Sequence, residues 1–205
     1  MVDVVEMSPG RALAEIPSGT FVRPGDLPGT PGARSSALSR AQKAGNVLRI
    51  RKGLYFKGVK TRYGMTRPMS EEVAAEILGK EGVGPSGVSA ARALGLTTQV
   101  PAQPALTVAG PVPTGVPGVK ISRRNNMRRR GLQYTEIALL ELLRGAWETS
   151  VDGGWPALVA ASDTAVRTQK IRPEKIQEAI GCEPPAARNY YGRLLAELRD
   201  RGVLI

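Results

Sequence analysis

FVRPGDLPGTPGARSSALSRAQKAGNVLRIRKGLYFK, residues Phe21–Lys57, reads as a short helix, a turn, a second helix and a tight hairpin. Its middle segment, Pro31–Ala44, places Ala33, Ala37, Leu38, Ala41 and Ala44 at the spacing of one helical face. The other face carries Arg34, Ser35, Ser36, Ser39, Arg40 and Lys43, with no acid among them. Gly45 stands where a glycine past the last turn ends a helix. Val47–Arg51 and Leu54–Lys57 are β-prone runs joined by Lys52-Gly53, a two-residue connection with glycine where a positive φ is wanted. That turn puts Leu48 and Ile50 on one face with Tyr55, and Arg49, Arg51 and Phe56 on the other; a slip of one residue would exchange them. The whole has the order of a winged helix-turn-helix.

A basic helix followed by a basic hairpin suits a duplex, with the helix in the major groove and the wing along the phosphates. Arg34 and Arg40 are candidates for bidentate contact with guanine edges. Ser35, Ser36 and Ser39 can bond phosphates or bases, and Lys43, Arg49, Arg51, Lys52 and Lys57 meet the simpler demand of phosphate contact, positive charge within reach. Two other readings stay open. A basic helix face can be a solvated face and nothing more, and two-helix-plus-hairpin units also serve as protein-binding modules.

Composition bounds the remaining classes. The chain has 205 residues, 41% of them hydrophobic, enough for one large or two small domains. Aromatics at 4% leave the core to Leu, Val, Ile and Ala and argue against a single-strand platform that stacks bases on rings. The formal net charge of +11 points to an anionic partner. The charge is local: residues 1–67 hold twelve Lys/Arg against four acids, and Lys120–Arg130 adds six basic residues and no acid. Cys182 is the single cysteine and histidine is absent, so an internal disulfide, the common zinc sites and Ser-His or Cys-His catalysis are excluded. One cysteine and no signal-like or 18-residue apolar run suit a reducing cytoplasm and no membrane. No carboxylate pair stands out as acid and base, and no glycine loop fits a phosphate cradle. Neither an enzyme nor a bound cofactor or metal is expected.

The expected fold class is α+β, mostly helical. An N-terminal winged domain covers 1–66, followed by an interaction region over 67–205 with a mixed module at 67–131 and helices at 132–205. Val2–Ile16 is an expected first helix, with Ser8-Pro9 as cap and first residue. Pro24–Leu27 is an expected short helix, and Gly58–Pro68 reads as a linker. Ser70–Leu78 forms a helix, Gly84-Pro85-Ser86 opens another to Leu94, and Pro104–Ala109 and Gly118–Arg123 are strands. Further helices are expected at Tyr134–Arg144, Trp155–Thr168, Pro173–Ile180 and Pro185–Arg201, the last burying Tyr190, Leu194, Leu195 and Leu198.

Three blocks in order, SGTFVRPGDL, ALSRAQKAGNVLRIRKGLYFKG and PSGVSAARALGLTTQVPAQPALTVAGP, span roughly Ser18–Pro111. Together they resemble the AbiEi-like antitoxins, bacterial transcriptional regulators paired with an AbiEii-like nucleotidyltransferase toxin. The resemblance implies a winged domain that binds the operon's own promoter DNA and a C-terminal part that neutralises the toxin. By position it places DNA reading on Arg34, Ser35, Ser36, Ser39 and Arg40, with Arg49, Arg51 and Lys52 on the wing. Ala41 departs from the larger aliphatic usual there, and no family motif is recognisable from Gln133 onward.

Arg123, Arg124, Arg128, Arg129 and Arg130 have several readings: an extended DNA footprint, contact with an acidic toxin surface, binding of tRNA, or a disordered basic loop. Asn125-Asn126 favours a turn among them. The alternative functions are a protein-interaction module without promoter binding and an RNA-binding accessory subunit. The operator and the oligomeric state are not legible in the sequence.

Overall fold

Ser8 and Pro9 open the first helix. The Ser8 Oγ accepts from the Arg11 N–H at 3.4 Å, and Pro9 takes the first helical position, where a missing N–H costs nothing. The computed structural model describes residues 7–79, 81–112, 114 and 116–203. Helix α1 is Pro9–Glu15; residues 2–6 of the expected longer helix lie outside the described residues. The chain divides into two units, 1–76 and 77–205. Helix takes about 51% of it and the sheets are small, which makes the class α+β.

In the first unit strand β1 is Thr20–Val22. The segment expected as a helix at Pro24–Leu27 is a single 3-10 turn, Pro24–Asp26. Flanking prolines leave too few residues for an α-helical repeat, so the Asp26 carboxylate closes the turn by accepting from the Arg23 N–H at 2.7 Å. Helix α2 is Pro31–Lys43, capped by the Thr30 hydroxyl, which accepts from the Ala33 N–H at 3.3 Å. At its other end Gly45, at φ 64°, donates to the Gln42 carbonyl while Asn46 donates to that of Ala41. These are the paired bonds that end a helix on a left-handed residue.

Strands β2 (Leu48–Arg51) and β3 (Leu54–Lys57) follow, and the antiparallel sheet has the order β1-β3-β2. Its faces correct the expected ones. A bulge between Arg49 and Arg51 shifts the register so that Leu48 opposes Phe56 and Arg49 opposes Tyr55. One extra residue in one strand turns every side chain beyond it to the other face. Leu54 and Phe56 are buried as a result, and Arg49 and Arg51 point outward.

The stretch expected as a linker forms a second hairpin, β4 (Lys60–Thr61) with β5 (Gly64–Met65). Helix α3 is Ser70–Leu78, tied back by the Arg23 guanidinium, which donates to the Glu76 carboxylate and, at 2.9 Å, to its carbonyl. Leu13, Val22, Leu27, Leu38 and Val47 make this unit's core.

The second unit contains strands β6 (Val83–Pro85), β7 (Ala105–Ala109) and β8 (Lys120–Arg124), with β6 antiparallel and β8 parallel to β7. The expected helix start at Gly84 is therefore a strand; α4 begins only at Val88 and ends at Ala93. Proline is tolerated at the sheet edge, and glycine is required there: a Cβ built on Gly84 would lie 2.4 Å from the Ile137 side chain. Helix α5 (Tyr134–Glu141) supplies Ile137 and is buried on nearly every side. A looser turn at Leu142–Ala146, broken by Gly145 at φ 113°, leads to α6 (Trp147–Ser150), so the expected helix ends three residues early. Helices α7 (Gly154–Arg167), α8 (Pro173–Ile180) and α9 (Pro185–Asp200) complete the unit. In α9 the residue fully buried with Leu194 and Leu198 is Tyr191; Tyr190 and Leu195 pack at the margin.

Candidate nucleic-acid interface

From Asp26 to Glu71 the sequence carries ten lysines and arginines and no acid between them. The first unit folds this segment so that its apolar residues turn inward. Ala37 and Leu38 of α2 are buried, while Ser35, Ser36, Ser39, Arg40 and Lys43 are exposed along the opposite side. Arg49, Arg51 and Lys52 are exposed on the β2–β3 hairpin. Among the described residues, the side chains of Arg40, Lys43, Arg49 and Lys52 have no carboxylate partner. Four uncompensated cations on one helix and one hairpin are the arrangement that anionic phosphates neutralise.

Two of the expected contacts are placed differently. Arg34 is half-buried, and its Nε is shut off from solvent without an acceptor among the described residues. Of the two α2 arginines, Arg40 is the one whose side chain stands free. The Lys57 ammonium donates to the carbonyls of Leu13, Ala14 and Ile16 at 3.0, 2.8 and 2.6 Å. Those carbonyls close α1, where orphan acceptors and the negative end of the helix dipole attract a cation. Lys57 therefore holds α1 to the sheet, with its ammonium turned to those carbonyls.

The run Lys120–Arg130 is built quite differently. It comprises β8 and a 3-10 turn, Met127–Gly131, and is no loose loop. Arg129 is fully buried. Its Nε and Nη2 donate to the Glu183 carboxylate at 2.7 and 2.8 Å, and its Nη1 to Glu141 at 2.6 Å. Arg124 makes a two-pronged contact with Glu141 at 2.9 and 2.6 Å. Arg144 donates to Glu183 at 2.6 Å, and the Asn126 amide adds a bond to Glu183 at 2.7 Å. Burial alone would raise the Glu183 pKa, but the Arg129 contact and the bonds from Asn126 and Arg144 outweigh it and hold the carboxyl at about 2. For Arg129, burial opposes the charge and the two carboxylates more than restore it, so its pKa is raised.

Arg124 and Arg129 are thus internal ion pairs, against the expectation of nucleic-acid or toxin contact. Arg128 stays exposed but donates to the Glu178 carbonyl at 2.9 Å. Arg123 and Arg130 keep exposed side chains. The signal that separates them lay in Glu141 and Glu183, acids 12 and 54 residues from Arg129, a distance at which no local pattern joins them.

Chemically, the first unit offers exposed cations without carboxylate partners among the described residues. Among the described residues no three His, Cys, Asp or Glu side chains gather as metal ligands, and no helix is long and apolar enough to cross a membrane.

A model for a family of unknown function, DUF6088, matches residues 21–127, which take in the basic segment of the first unit and the Lys120–Arg124 part of the second. No curated protein matches the chain. The chain is similar to the crystal structure of the RV2827C protein from Mycobacterium tuberculosis. That likeness has 17% identity and a TM-score of 0.50, covering 91% of this chain and 74% of that one. At that identity the likeness concerns the fold alone.

Proposed function

Since the chain belongs to the DUF6088 family, whose function is unknown, we propose a role from its own surface: a winged helix-turn-helix that binds duplex DNA at its own promoter. In this reading the protein is also the antitoxin of a nucleotidyltransferase-type toxin. The observation that carries the DNA-binding part is the exposed, uncompensated basic side of α2 beside the outward arginines of the β2–β3 hairpin. The supporting order is helix, strand, short turn, helix, hairpin, with the sheet arranged β1-β3-β2. In such a unit the second helix enters the major groove and the hairpin follows the phosphates. Arg40 is then the base-reading candidate, Lys43, Arg49 and Lys52 are phosphate contacts, and Ser35, Ser36 and Ser39 give neutral hydrogen bonds. The antitoxin part rests on the three sequence blocks that resemble AbiEi-like regulators.

An RNA-binding role through Lys120–Arg130 draws less support. Arg124 and Arg129 are occupied by Glu141 and Glu183 and Arg128 is engaged by the Glu178 carbonyl, which leaves mainly Lys120, Arg123 and Arg130 to meet an anion. A promoter shift with the full chain and with Arg40→Glu tests the proposal, paired with co-expression of a nucleotidyltransferase-type toxin. Loss of the shift with neutralisation retained is the expected result. Unchanged promoter affinity in the variant, with neutralisation lost, would assign the surface to protein interaction instead.

A further inference from the structure

We infer that the β4–β5 hairpin is a second duplex-contacting arm, in which Arg62 engages a backbone phosphate beside the segment that α2 occupies. This rests on the reading of α2 and the β2–β3 hairpin as a duplex-binding surface.

An isolated two-stranded hairpin is marginal in water, so its local supports matter. The Thr66 N–H donates to the Val59 carbonyl at 3.0 Å, and the Val59 N–H donates to the Thr66 hydroxyl at 2.9 Å. At the tip the Thr61 hydroxyl donates to the Gly64 carbonyl at 2.8 Å and accepts from the Tyr63 N–H at 3.2 Å. Gly58 at the root packs so closely on Thr66 that a Cβ there would lie 2.2 Å from the Thr66 carbonyl oxygen. The hairpin is a braced element, and bracing it ends in nothing but an exposed tip.

That tip has a chemistry. Tyr63 is 84% exposed, which a solvent-facing turn does not require of an aromatic. The Arg62 guanidinium lies over its ring, 4.6 Å from the centroid. The stacking orders a planar, two-pronged donor that fits a phosphate, and it covers one face of the ring, which disfavours the ring as a platform for an unpaired base. Lys60 lies beside the tip and Arg67 just past the root, with no acid in sequence between Asp26 and Glu71. The partner of matching charge is the polyanionic backbone.

Placement supplies the second line. The Lys60 ammonium donates to the Asn46 Oδ1 at 2.8 Å, fixing β4 to the carboxyl end of α2. Arg40 and Lys60 line one groove of about 760 Å³. An arm rooted at the end of a groove-reading helix reaches backbone just beyond that helix.

The test is salt-dependent binding of the full chain to its promoter duplex, with hydroxyl-radical footprinting, for the native protein, Arg62→Gln and Tyr63→Ser, each first shown to melt like the native chain. For Arg62→Gln the expected results are an affinity about tenfold lower, a log–log salt slope shallower by about one, and loss of protection at one flank. Tyr63→Ser should show a smaller loss at the same flank. Native affinity, slope and footprint in Arg62→Gln would overturn the inference while leaving the α2 surface in place. Loss of single-stranded RNA binding without loss of duplex binding would overturn it as well. Failure of the native chain to bind duplex would remove both readings.

Discussion

Arg40 and Arg129 are the same side chain put to opposite uses. Arg40 projects from α2 with no carboxylate partner among the described residues, whereas Arg129 is wholly enclosed and bound by two glutamates. Each sits in a run rich in arginine and free of acid. What separates them is long-range: acids reach Lys120–Arg130 from α5 and from the turn before α9, and among the described residues none pairs with α2. A basic run in a sequence is therefore a statement about composition, and only the fold decides whether its counter-ions are its own.

The largest effect expected from this contrast is on stability. Arg129→Ala leaves Glu183 buried without its main partner and takes one bond from Glu141, which should cost about 3–5 kcal/mol in denaturant unfolding of the full chain. Arg40→Ala should leave unfolding unchanged. A mild effect for Arg129→Ala would mean that water or a neighbouring group replaces it readily and that the enclosure is looser than its distances imply.

Binding reverses the order of the two. Arg40→Ala should weaken promoter affinity by about 1–3 kcal/mol, measured by anisotropy, while a milder change at the other site, Arg129→Lys, leaves the affinity of the folded fraction untouched.

The enclosure also predicts a pH dependence. Glu183 is held at about 2 in the folded chain, below its ordinary 4.5. A depressed carboxylate adds stability that is fully present above its unfolded pKa and is lost as pH falls through the folded one. Unfolding free energy should thus decline between about pH 4.5 and pH 2, and Glu183→Gln should flatten that decline. An unaltered pH profile in Glu183→Gln would place the acid sensitivity elsewhere.

A smaller effect sharpens the boundary between the two uses within the first unit. Lys57→Met should cost about 2 kcal/mol through three lost charge-assisted bonds to α1 and leave the salt slope of DNA binding as it was. A slope shallower by about one would return Lys57 to the phosphate contacts.

Much of the fold was legible because it was local. Ser8-Pro9 and Gly45 mark helix ends through caps and φ preferences that act within four residues. The bounds of α3 and α8 follow from Ser70 with its two acids and from Pro173. The misread elements each depended on something distant or on a single backbone adjustment. The bulge at Ile50 exchanged the faces of the β2–β3 hairpin. Gly84-Pro85 resembles a helix start until Ile137 is seen pressing on Gly84, and Gly58–Pro68 lacks the apolar alternation that would announce a hairpin two residues per strand. At the site, the polar face of α2 was readable from its period, but the half-burial of Arg34, the capping role of Lys57 and the enclosure of Arg129 required knowing which carbonyls and carboxylates fold against them.

The most direct measurement is the affinity of the full chain for its promoter duplex as a function of salt. Four uncompensated cations on α2 and the β2–β3 hairpin predict a contribution of about −3.6 to the log–log slope, beside about one unit from Arg62, and that contribution is lost when Arg40, Lys43, Arg49 and Lys52 are replaced together by glutamine. A flat dependence, or a slope that survives the fourfold replacement, would contradict the assignment of that surface to DNA.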